Sequence, residues 1–164
     1  MRGKWERGIQ PRNFAWIMRD KLAVSERPGG YARNHRKVRR HEEILWLRNQ
    51  GFTRIVSLLP SPHNLHAYDE LGMAWSHFPF PTGSESKQVL AELYPQVRHW
   101  VASGEKLLLH QEELGDRVMG VVAGFLLSSG LVDTGPHAVT VTEQILHRQM
   151  GPAGRELVAV AVDL

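Results

Sequence analysis

Leu107-Leu108-Leu109-His110-Gln111-Glu112-Glu113-Leu114-Gly115-Asp116-Arg117 lies between two apolar stretches. Residues 106–109, Lys106 followed by three leucines, read as a short buried strand. Residues 110–117 are a polar loop, and residues 118–127 are apolar nearly all round, which predicts a buried helix. Strand, loop and helix in that order bring backbone N–H groups to the positive end of a helix, a generic anion site.

The rest of the chain supplies similar units. Residues 13–17 and 22–24 are expected as short strands around a turn at Arg19-Asp20-Lys21, and Ser25-Glu26-Arg27-Pro28-Gly29-Gly30 as a break. A helix is expected over 41–50, with Gly51 placed to end it. Strands are expected over 53–59 and 74–80, with a short helix at 65–71 between them. A long helix follows over 86–103, with Val89, Leu90, Leu93, Val97 and Trp100 on one face. Residues 137–150 and 155–162 read as the last two helices. Short apolar strands alternating with helices predict an α/β fold: a mostly parallel central sheet flanked by helices, with ligands at the carboxyl ends of the strands.

The 164 residues suit one domain over 1–164. There is no cysteine, which excludes disulfides, thiolate metal sites and a cysteine nucleophile. No apolar run reaches the ~18 residues that span a bilayer, and residues 1–13 lack the apolar core of a secretory signal. The expected location is cytoplasmic, with no membrane partner. Net charge is +3, unevenly spread. Residues 1–54 hold 14 Lys/Arg against 5 Asp/Glu, and residues 55–164 hold 6 against 12. The densest basic patch is Arg33, Arg36, Lys37, Arg39 and Arg40. It reads either as a solvated face or as a contact for nucleic acid or another polyanion. No aromatic residue interleaves there to stack bases. His63, His66 and His77 match no standard metal spacing, so neither metal nor cofactor is expected.

From Asn13 to Met150 the chain resembles the small atypical dual-specificity phosphatases of the cysteine-dependent protein tyrosine phosphatase superfamily. The resemblance rests on Asn13-Phe14-Ala15-Trp16, Lys21-Leu22-Ala23, residues 45–52, Ile55-Val56-Ser57-Leu58, Phe78-Pro79-Phe80-Pro81 and Leu107-Leu108-Leu109-His110. It implies the phosphatase fold and a signature of His-Cys, five residues, then Arg. His110 and Arg117 fall on the motif's His and Arg, and the nucleophile position is Gln111. A carboxamide is neutral and weakly nucleophilic, where a thiolate would attack phosphorus. The family's general acid is an Asp whose position falls on Thr82, a hydroxyl too weakly acidic for that role. Leu114 and Val118 replace the usual Gly and Ser/Thr. Glu112, Glu113 and Asp116 add carboxylates that oppose a bound dianion.

With no catalytic residue intact, the resemblance implies a pseudophosphatase, a regulatory or binding module for a phosphorylated or acidic protein. Arg117 reads either as an anion clamp, with Gln111 beside it, or as the partner of a loop carboxylate. Gln111 reads either as a donor to the anion or as a plug for the loop's own N–H groups. His110 reads as a strand-end histidine bonded to nearby backbone. The alternatives to the pseudophosphatase are an anion or nucleic-acid binder through residues 33–40 and a weak phosphatase with an unconventional mechanism.

Overall fold

The computed structural model describes residues 8–29, 37–62, 65–80 and 86–164. Among these, five strands form one sheet: β1 (Ala15–Met18), β2 (Leu22–Glu26), β3 (Arg54–Ser57), β4 (Ala74–His77) and β5 (Leu107–Gln111). Their order across the sheet is β1-β2-β5-β3-β4. β1 pairs antiparallel to β2 through the expected turn, and every other pairing is parallel. The helices are α1 (Lys37–Asn49), α2 (His66–Glu70), α3 (Ser86–Ala102), α4 (Asp116–Ser128), α5 (Gly135–Leu146) and α6 (Pro152–Val162). The α/β expectation holds.

Successive strand residues face opposite sides of the sheet. Leu22, Val24, Val56, Leu107 and Leu109 join the larger core with residues of α3–α6. Ala23, Ile55 and Leu108 join the smaller one with Ile44 and Leu47 of α1 and Ala67 and Tyr68 of α2. Gly51 ends α1 at φ +88°, with the Phe52 N–H bonded back to the Leu47 carbonyl. This left-handed turn is what glycine permits.

Several boundaries differ from expectation, each for a local reason. Ser25 and Glu26 continue β2 because they pair with His110 and Gln111, and the same pairs extend β5 two residues beyond Leu109. His110 and Gln111 are therefore strand, held on a central ladder. The strands expected over 53–59 and 74–80 are shorter, although Phe78 and Phe80 still donate to Ser57 and Leu58. α5 starts early, where the Thr134 hydroxyl accepts from the His137 N–H, and stops early, at a left-handed His147. α6 begins at Pro152, which suits a first helical turn.

α4 packs against α6 at very short range. A Cβ on Gly120 would stand 2.6 Å from the Gly154 carbonyl oxygen and 2.7 Å from its Cα. These glycines let two backbones touch and fix the helix that carries Arg117. Among the described residues, no helix is long and apolar enough to cross a membrane.

Candidate active-site loop

β5 carries His110 and Gln111 to the carboxyl edge of the sheet, the loop spans 112–115, and α4 starts at Asp116 with Gly115 as its N-cap. No side chain caps this helix, so its first N–H groups face the loop with the positive end of the dipole. The Arg117 guanidinium stands 5.9 Å from the centre of the Phe80 ring. Phe80 is buried at the end of the segment that follows β4.

His110 is fully buried. Its Nδ1 donates to the Gln111 carbonyl at 3.2 Å. A carbonyl only accepts, so Nδ1 carries the proton and Nε2 accepts from the Tyr68 hydroxyl, also at 3.2 Å. Burial, helped by Arg27 and His77 and opposed by the Gln111 carbonyl, lowers the His110 pKa to about 4. The imidazole is thus neutral near pH 7. Burial also raises the Tyr68 hydroxyl well above its ordinary value, with Arg27 and Arg40 opposing.

The loop carboxylates have partners outside the loop. Glu112 accepts from Arg27 Nη1 at 3.0 Å. Asp116 accepts from the Gly151 N–H at 2.6 Å and the Gly154 N–H at 2.8 Å, capping α6. Glu113 is exposed. The three carboxylates expected around one dianion site are therefore divided: one is paired with a cation and one is turned to another helix. Arg148 donates to the Leu114 carbonyl and ties the loop to the end of α5. Among the described residues the Gln111 carboxamide makes no hydrogen bond, so the plug expected of it is not formed there.

Other expected site residues scatter. Thr82, Arg33, Arg36 and His63 lie outside the described residues. Lys37 is exposed at the start of α1. Arg39 is turned onto buried Glu43, with Nε 3.1 Å from Oε2. Arg40 Nε is buried within the fold. The described part of 33–40 is thus not one solvent-facing basic surface. His77 donates to the Leu59 carbonyl at 2.7 Å. No described group of His, Asp and Glu could hold a metal ion.

Sequence reasoning missed Arg27 and Tyr68. Arg27 sits in a stretch that reads as a break, and Tyr68 reads as ordinary core. Only the Ser25–His110 and Glu26–Gln111 pairing brings Arg27 beside the loop.

A kinase-associated phosphatase, with its catalytic-site cysteine replaced by serine, matches at TM-score 0.77 and 17% identity, over 94% of this chain and 96% of that one. The fold is that of the dual-specificity and protein tyrosine phosphatases. Tk-PTP in its active form matches at TM-score 0.73 and 18% identity, over 92% of this chain and 97% of that one. The core catalytic domain of the PP-IP phosphatase Siw14 from S. cerevisiae, in complex with citrate, matches at TM-score 0.66 and 11% identity, over 93% and 86%. No family model and no curated protein matches the chain. At these identities the phosphatase likeness is one of fold.

Proposed function

We propose that this phosphatase-fold protein binds an anionic group of a phosphorylated or acidic protein at the 110–117 loop and does not hydrolyse it. The observation that carries this reading is that Arg117 stands on the first turn of a helix with no side-chain cap, while Gln111 ends the strand before the loop, at the position of the nucleophile. The kinase-associated phosphatase has a cysteine at its catalytic site, and this chain has none. A carboxamide forms no phosphoenzyme. By analogy with nucleophile deletions in other covalent enzymes, turnover falls by about six orders of magnitude. Binding needs less: N–H groups at a helix start and a guanidinium suffice for an oxyanion. Neutral His110 adds no positive charge, so its role is to hold the strand end against Tyr68.

The nucleic-acid reading through 33–40 gains no support from Arg39, whose Nε is paired with Glu43, or from Arg40, whose Nε is buried. The test is calorimetric titration with phosphotyrosine at low salt, alongside a phosphate-release assay. Binding that is lost in Arg117→Ala, with no release above buffer, is the expected result. Release that needs Arg117 would establish the weak-phosphatase alternative. Absence of binding would move the partner search away from this loop.

A further inference from the structure

Six charged side chains meet at the 110–117 loop. Arg117 stands on the first turn of α4, Arg27 is paired with Glu112, and Arg148 donates to the Leu114 carbonyl. Against these cations stand the carboxylates of Glu112, Glu113 and Asp116. The two sets cancel, and buried neutral His110 adds no charge. What remains is the positive end of α4, worth about half an elementary charge. Glu113 stands beside it: a Cβ on Gly115, the N-cap of α4, would lie 3.4 Å from Glu113 Oε1. Among the described residues neither a cation nor an N–H group bonds that carboxylate, and no side chain caps α4. The helix start is therefore open, with an uncompensated negative charge at its rim. Such a site attracts one negative charge. A second charge on the same ligand gains little further attraction and costs more to take out of water.

We propose that Glu113 sets the charge of the ligand, so that the loop prefers a singly charged oxyanion, a carboxylate or a sulfate ester, to a phosphate dianion. The proposal rests on the reading of the loop as an anion binder and narrows the partner to an acidic or sulfated protein. Arg117 and the first N–H groups of α4 hold the oxyanion. Glu113 repels it in proportion to its charge. A phosphate ester is close to a dianion at pH 8, so its penalty is about twice that of a sulfate ester.

Sulfotyrosine and phosphotyrosine test this, because they share a shape and differ in charge. Calorimetric titration at pH 8 and low salt should show the wild-type protein binding sulfotyrosine more tightly. Glu113→Gln, an isosteric change at an exposed side chain, should tighten sulfotyrosine about threefold and phosphotyrosine about tenfold. Carboxymethylphenylalanine, a carboxylate of similar shape, separates the two sources. Its binding, if lost in Arg117→Ala, marks a carboxylate as the ligand, and its failure to bind leaves the sulfate ester. Tighter binding of phosphotyrosine by the wild type overturns the proposal. So does an equal gain for both esters in Glu113→Gln, or no gain for either. A phosphotyrosine preference that needs Arg117 would leave the loop reading standing and remove this one. If none of the three ligands binds either protein, both readings fall.

Discussion

The face of the sheet covered by α3–α6 buries Leu107, Leu109, Leu90, Leu93, Val118, Val122 and their neighbours in an almost wholly apolar core. The face covered by α1 and α2 is smaller, and next to its core lie buried Glu43 and His110 and the shielded Arg40 Nε. The first face is packed tightly enough for backbones to touch at Gly120 and Gly154. The second keeps ionisable groups out of water, with partners for some and none for others. Buried polar groups left unsatisfied are costly, and they concentrate where a ligand can be received. One side of the sheet therefore sets the position of α4, and the other sets the charge around its loop.

The largest effect should come from breaking the apolar face. Gly120→Val puts a branched side chain where Gly154 backbone atoms stand, and should cost about 4 kcal/mol, read as a lower urea midpoint. The charged face should reveal itself through pH. His110 stays neutral in the fold down to about pH 4, whereas the unfolded chain takes its proton near pH 6.5. The unfolded state therefore binds more protons between these values, and stability falls as pH drops through that window. The loss from this group should be about 3 kcal/mol, seen in urea unfolding at pH 7 and pH 4. His110→Gln should flatten that part of the profile. An equal slope in the variant would mean that other groups carry the acid sensitivity.

Asp116→Ala tests the link between the loop and the apolar face. It removes the acceptor of two N–H groups at the start of α6 and should cost about 2 kcal/mol by thermal unfolding. If stability is unchanged, the cap contributes nothing. The smallest effect is expected of Tyr68→Phe. It leaves Nε2 of His110 without its donor at a cost of about 1 kcal/mol, and should raise the hydrogen exchange of β5 amides near Gln111.

The fold was legible because period and punctuation agree. The leucines at 107–109 mark a buried strand, Gly51 ends α1 where its φ of +88° requires glycine, and Val118–Leu127 has no polar face. The loop was legible as a position, since His110 and Arg117 hold their spacing on a strand end and a helix start. Its electrostatics were not. Glu112, Glu113 and Asp116 look alike in sequence, yet Glu112 meets a cation 85 residues away and Asp116 meets helix N–H groups 35 and 38 residues later. Local pattern carries no information about such distant partners. The surroundings of the basic run were hidden for the opposite reason. A helix turns neighbouring residues to different sides, so Arg39 and Arg40 meet different surroundings from Lys37.

Asp116 also bears on the order in which the protein becomes native. Its carboxylate begins the helix that carries Arg117, but the N–H groups that hold it belong to Gly151 and Gly154. During synthesis the loop emerges first and waits for a helix still to be made. Until residues 151–154 arrive, the negative charge beside Arg117 has no cap to satisfy it, and the ligand-binding edge is among the last regions to take its final form.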